Sequence, residues 1–290
     1  MRKRSAGAAA VAALLISGLI AGCSTESTAS PARPSAEPAA SPGAPGGAGG
    51  GKGKGSAGGG PEQAAAAAYE KWGLKPFAPP PAPPAVKPVG TGAGQVPVIS
   101  DIPTKDKIVF VTFDDGAEKD PEFVEMMRDL KVPFTMFLTD AAIKSDYGYF
   151  ERLAELGNGV ANHTLGHPNL RTLDASAQQR EICGQQTRLA EEYGTTPRLL
   201  RPPYGNWNED TRAAAGRCGV EAIVLWRESM QITNMQYQRG DKKLHPGDII
   251  LAHFRGPADL KGTSMTEMTA NMLRRIQEQG FTVARLEDYV

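Results

Sequence analysis

Ile108-Val109-Phe110-Val111-Thr112-Phe113-Asp114-Asp115-Gly116 is the stretch that decides the fold. Residues 108–113 are almost continuously β-branched or aromatic, which suits a strand buried on both faces of a parallel sheet. The run then stops at two adjacent carboxylates and a glycine. Downstream, similar short apolar runs occupy 134–139, 159–162, 199–201, 222–226, 248–253 and 281–286. The segments between them read as amphipathic helices. Asp120-Pro121 is an N-cap followed by proline at the first helical position, with Phe123, Met126, Met127 and Leu130 at helical spacing. Ser264 and Glu267 have capping-box spacing, and Gly280 supplies a stop after Met268, Met272, Leu273 and Ile276. Seven strands with helical crossovers predict an α/β fold, a closed or nearly closed β/α barrel, in which function collects at the C-terminal strand ends.

Polar residues gather at those ends. Asp114-Asp115-Gly116 alone reads either as a surface turn or as a functional strand end. The third strand ends Asn162-His163-Thr164-Leu165-Gly166-His167, two histidines four apart, which is metal-ligand spacing and also compatible with polar loop residues. The fourth ends Arg201-Pro202-Pro203-Tyr204-Gly205, where prolines restrict how Arg201 points. The sixth ends Leu251-Ala252-His253, a lone histidine that by itself reads as packing. Coincidence decides between these readings. Four such groups, with three of the four histidines of the chain, would converge on one rim.

Composition divides the chain. Residues 1–100 hold 18 of 33 glycines and 14 of 23 prolines, and carry 9 basic against 4 acidic groups. Residues 101–290 carry 23 basic and 28 acidic groups, so the formal charge of zero is a cancellation of +5 and −5. A mildly acidic folded part without a basic run excludes nucleic acid as a partner. Arg2, Lys3 and Arg4 precede an apolar stretch, 8–20, too short for a spanning helix and typical of a signal peptide. That stretch ends Leu19-Ile20-Ala21-Gly22-Cys23, which resembles the bacterial lipobox. The resemblance implies that 1–22 is removed, that Cys23 is lipidated, and that acyl chains hold the protein on the outer face of the cell membrane. Residues 23–94 then read as a disordered Ala/Gly/Pro/Ser tether, broken by a short helix-prone patch at 62–72. Residues 95–290 form the expected catalytic domain.

Taken in order, the motifs Thr112-Phe113-Asp114-Asp115-Gly116, His163-Thr164-Leu165-Gly166-His167, Arg201-Pro202-Pro203-Tyr204-Gly205 and Leu251-Ala252-His253 resemble those of the polysaccharide deacetylases, carbohydrate esterase family four. The resemblance covers about 95–290. It implies a distorted seven-stranded (β/α) barrel and metal-dependent removal of acetyl groups from acetylated glycans. Asp115, His163 and His167 would bind a divalent metal, Zn2+ by preference. Asp114 would be the base, oriented by Arg201, and His253 the acid. The Tyr204 backbone N–H would stabilise an oxyanion and Leu251 would wall the acetyl methyl group, while Trp207 would stack on a sugar. The expected enzyme is a monomer acting on peptidoglycan or chitin-like oligosaccharides. An O-acetyl xylan-type esterase and a glycan-binding pseudoenzyme are the competing readings.

The sequence departs from the family in the fifth strand. Relatives carry an Asp shortly after the strand tryptophan, paired with the acid histidine. Here the stretch reads Trp226-Arg227-Glu228-Ser229-Met230-Gln231. Either Glu228 substitutes from a shifted register, or Arg227 and Glu228 pair with each other. Trp226 reads as core. Cys183 and Cys218 lie on helices flanking the fourth strand, and an extracytoplasmic site permits a bond between them provided their Cα atoms lie within about 7 Å.

Overall fold

The 108–113 run forms its strand because alternate residues have two apolar layers to enter. The computed structural model describes residues 60–90 and 95–290, so the expected signal segment, Cys23 and most of the expected tether lie outside the described residues. The strands are β1 (Val98–Ile99), β2 (Ile108–Asp115), β3 (Thr135–Leu138), β4 (Gly159–Asn162), β5 (Leu199–Leu200), β6 (Ala222–Val224), β7 (Glu228–Met230), β8 (Met235–Tyr237), β9 (Ile249–His253) and β10 (Thr282–Val283). The α-helices are α1 (Pro61–Lys71), α2 (Pro121–Leu130), α3 (Asp140–Ile143), α4 (Tyr147–Glu155), α5 (Ala175–Tyr193), α6 (Glu209–Arg217) and α7 (Met265–Glu278). From β2, Ile108 and Phe110 enter the barrel interior with Phe137, Leu199, Val224 and Ile249. Val109, Val111 and Phe113 face the helix layer, where they meet Phe123, Met126, Met272 and Leu273. The strand's two-residue period therefore assigns Thr112 and Asp114 to the interior.

The strands order as β1-β6-β5-β4-β3-β2-β9-β7-β8, parallel throughout except for the β7–β8 hairpin. Between β6 and β9 the ring is drawn together by the β1 segment and the chain leaving β6. Leu225 N–H donates to Ile99 O (2.7 Å), Arg227 N–H to Ile249 O (2.9 Å) and Ile102 N–H to Gly247 O (2.8 Å). The result is the expected distorted barrel of seven parallel strands, with one exchange of membership. The 281–286 run does not enter the ring, because β10 pairs only with Ile108 and Val109 at the start of β2. Its place is taken by β7, whose polar sequence Glu228-Ser229-Met230 does not announce a strand. Leu286, Tyr289 and Val290 instead fill the barrel interior beside Phe110, the Tyr289 ring lying 5.0 Å from it.

Two features tie down the periphery. Cys183 of α5 and Cys218 after α6 are disulfide-bonded, with Cα atoms 4.9 Å apart. The expected tether also ends earlier than residue 94. Tyr69 of α1 is buried and its hydroxyl donates to Leu130 O (2.9 Å), and Trp72 Nε1 donates to Asp129 (2.9 Å). Beyond the helix, Thr282 Oγ1 donates to Ala78 O (2.6 Å), and Lys87 Nζ reaches Glu287 O (2.9 Å) and Val290 O (2.6 Å). A few anchors, Tyr69, Trp72, Leu74 and Phe77, are enough to lay a proline-rich strap on the barrel. Among the described residues no helix is long and apolar enough to cross a membrane.

Candidate active site

Strand register assembles the site. Asp114 lies opposite His253, and Thr112 opposite Leu251, on the parallel pair β2–β9, so all four side chains point into the same end of the barrel. Asp114 is buried, and Arg201, with no exposed surface, meets it there. One Arg201 nitrogen, Nη1, donates to Asp114 Oδ1 (2.6 Å) and to Thr112 Oγ1 (2.8 Å). Its Nε donates to Val224 O (3.1 Å) and Nη2 to Leu225 O (3.2 Å). The guanidinium also lies 4.1 Å from the Phe137 ring centre. Each nitrogen of this cation thus donates at least one hydrogen bond, which fixes the carboxylate it holds.

Asp115 should by alternation point outward with Phe113. Its φ of 72° turns it back toward the rim, a left-handed conformation that aspartate tolerates better than bulky residues. Gly116 follows with φ 91°, and a Cβ there would stand 2.4 Å from the Ile143 side chain, so only glycine lets the chain turn away. His163, buried at the end of β4, lies with Nδ1 2.7 Å from Arg201 O. Because a carbonyl only accepts, Nδ1 carries a proton, and Nε2 is the ring nitrogen that faces Asp115. Asp115 Oδ1 lies 3.4 Å from His163 Nε2 and 3.2 Å from His167 Nε2. The loop between the histidines is wound by Thr164, φ 69°, whose N–H donates to Asn162 Oδ1 (2.8 Å), and by His167, φ 58°.

One ligand atom from each of Asp115, His163 and His167 lies within 4.8 Å of the others. Asp115 Oδ1 is buried without a hydrogen-bond partner, a cost that a bound cation removes. Burial pushes the Asp115 carboxyl up, but the two histidines outweigh it and hold the group well below the usual carboxylate range. Burial pulls His163 down, while Asp114 and Asp115 prevail and leave it above the ordinary histidine value. One carboxylate and two imidazoles with a rim open beside them fit a divalent metal of the zinc type.

The remaining sequence-predicted residues take varied positions. Leu251 is buried on the same face as His253, and burial, opposed by the Asp114 carboxylate and reinforced by Arg255, lowers the His253 pKa. Tyr204 has φ 61° and its ring, 64% exposed, packs edge-on to His167 at 4.9 Å. Trp207 is half-buried with the Arg212 guanidinium 4.9 Å from its ring, so one face is already covered. Trp226 packs against the barrel interior. Thr112 escaped the sequence reading, although a hydroxyl inside an otherwise apolar run was its signal.

Neither expectation for Glu228 holds. Glu228 pairs in register with Ile250, which faces the helix layer, and so points away from His253. Arg227 Nε bonds Asp101 instead (2.6 Å), and the nearest cation to Glu228 is Arg239 at 3.8 Å. Both Glu228 oxygens are buried without hydrogen-bond partners, and burial together with the neighbouring Asp248 pushes the carboxyl up to about 9. A folded value raised above the ordinary 4.5 means that stability present in acid is lost as pH rises toward 9. Glu228→Gln should therefore flatten the decline in Tm between about pH 5 and 9, read by thermal melts at several pH values. Parallel pH slopes for the two proteins would contradict this account of the pair.

Residues 101–223 match the polysaccharide deacetylase family. An uncharacterized protein of Streptomyces coelicolor is 42% identical over 195 residues, covering 67% of this chain and 77% of that protein. Peptidoglycan-N-acetylmuramic acid deacetylase PdaA of Bacillus subtilis is 27% identical over 198 residues, 64% of this chain and 72% of that one. Among solved structures, a family four pseudoenzyme of Bacillus anthracis, BA3943, superposes with a TM-score of 0.56 at 22% identity, covering 66% of this chain and 68% of that one. Within the chain, residues 101–223 thus carry a polysaccharide deacetylase domain.

Proposed function

We propose that the protein is a metal-dependent deacetylase of N-acetylated glycans, peptidoglycan or chitin-like oligosaccharides, working at the cell envelope as a monomer held at Cys23 by lipid. The observation that carries this reading is the conjunction of a fully buried Arg201–Asp114 pair with an orphaned Asp115 oxygen between two histidines. Asp115, His163 and His167 would hold the cation. A bound divalent ion, zinc by its affinity for imidazole and carboxylate, supplies a Lewis acid for the acetyl carbonyl and acidifies a water. Asp114 Oδ1 is fixed by Arg201, which leaves Oδ2, 3.8 Å from His163 Nε2, to take the proton of the attacking water. The Tyr204 N–H stabilises charge developing on the carbonyl oxygen. His253 gives a proton to the leaving amine, and Leu251 excludes water beside the acetyl methyl group. The curated relative that acts on peptidoglycan supports an N-acetyl substrate.

Glu228, the acid of the fifth-strand stretch, points away from His253, which favours a second reading, a weak or inactive glycan binder. Acetate release from N-acetylated chitooligosaccharides, peptidoglycan fragments and acetylxylan separates the readings. The N-acetylated substrates should react, chelation should reduce release to background, and added zinc should restore it. Zinc should also raise Tm, by about 2.7 kcal/mol of stability at a hundredfold excess over Kd. Because His163 retains its proton above the ordinary histidine value, that gain should shrink as pH falls through this range. Preference for acetylxylan would indicate the O-acetyl esterase. Acetate release from none of the three would leave only the glycan binder.

A further inference from the structure

The β7–β8 hairpin and the loop after β9 line an open polar cavity of about 560 Å³, one wall of which is Arg255, two residues beyond His253. Ser229 is in register with Leu251 on the inward face, and Gln231, two residues on, donates from Nε2 to Ser229 Oγ (2.9 Å). Gln231 is a neutral amide just beyond the end of β7. Its N–H donates to Asn234 O (3.0 Å) and closes the hairpin tip that forms one wall. The facing wall holds Arg255, half-buried, with Asp259 and Lys261 exposed at the mouth. Arg255 and Lys261 have no ion-pair partner among the described residues, so two cations face one anion. Arg255 is near enough for its charge to act on His253.

An unpaired, half-buried guanidinium next to a catalytic rim, among amide and hydroxyl groups, is a receptor for an anion on the substrate. We propose that this cavity is a subsite for a carboxylate on the glycan, with Arg255 as the specificity-determining residue. The substrate class is then an N-acetylated glycan that bears a carboxylate close to the acetamido group being hydrolysed, rather than a neutral one. This rests on the deacetylase reading above and narrows it. Arg255 suits a planar, two-oxygen anion, and its fork favours a carboxylate over a neutral hydroxyl cluster. Gln231, Thr233, Asn234, Gln236 and Thr263 complete the polar lining.

The test compares one N-acetylated oligosaccharide carrying a sugar-borne carboxylate with its methyl ester, using the metal-loaded full chain. The free acid should exceed the ester in kcat/KM by about ten- to a hundredfold, the scale of one charge-assisted contact. Arg255→Glu should bring the ratio to unity or below, and Arg255→Lys should keep part of it. Calorimetric Kd values for acid and ester should show the same ratios, so the subsite is tested even without turnover. Equal constants for acid and ester in the parent protein, or a ratio unmoved in Arg255→Glu, overturn the subsite and leave deacetylation standing. No acetate from any substrate, with acid-selective binding intact, overturns deacetylation and supports the subsite.

Discussion

Asp114→Asn should lower acetate release by about a thousandfold, within the range that a positioned general base contributes. The proposed metal ligands Asp115, His163 and His167 are untouched by the change, so zinc taken up by the protein, measured by elemental analysis, should match that of the parent. The amide can still accept from Arg201, which keeps the geometry while removing the basic oxygen. Activity within about tenfold of the parent, with zinc bound, would assign the base elsewhere.

Arg201→Ala should have the largest effect on stability. The guanidinium makes four hydrogen bonds from a site without solvent, to Asp114, Thr112, Val224 and Leu225. Its removal leaves the Asp114 carboxylate buried without its counter-charge, which costs about 3–5 kcal/mol. For a body of this size that corresponds to a fall in Tm of roughly 6–20 °C. The double variant Arg201→Met with Asp114→Leu removes both charges and fills the space with apolar atoms. It should recover most of the stability and none of the activity. Equal losses in the single and double variants would mean that packing, rather than charge, makes Arg201 structurally important.

The contrast between β2 and β7 explains which parts of the fold could be read beforehand. β2 is nearly continuous in valine, isoleucine and phenylalanine, and its burial on both faces requires that composition. β7 contains a buried glutamate whose neighbours, Asp248 and Arg239, come from distant positions, so no local pattern reveals it. Residues 60–90 were obscured by composition. Alanine and proline dominate the segment, and the anchors Tyr69 and Trp72 act through contacts with Leu130 and Asp129 that only the folded chain supplies. At the site, the residue types at the strand ends were legible as a set. The division of labour between Asp114 and Asp115 depends on one backbone angle, and the fate of Glu228 on one register.

Four of the seven described non-glycine residues with positive φ, Asp115, Thr164, His167 and Tyr204, lie in the loops of this rim. These loops are wound by hydrogen bonds that the protein itself supplies, such as Thr164 N–H to Asn162 Oδ1 and His167 N–H to Thr164 Oγ1. Little conformational entropy remains to be lost when a cation or sugar arrives. Loading should then proceed as one bimolecular step without a slow ordering phase, and the site should behave as a rigid template rather than a closing clamp.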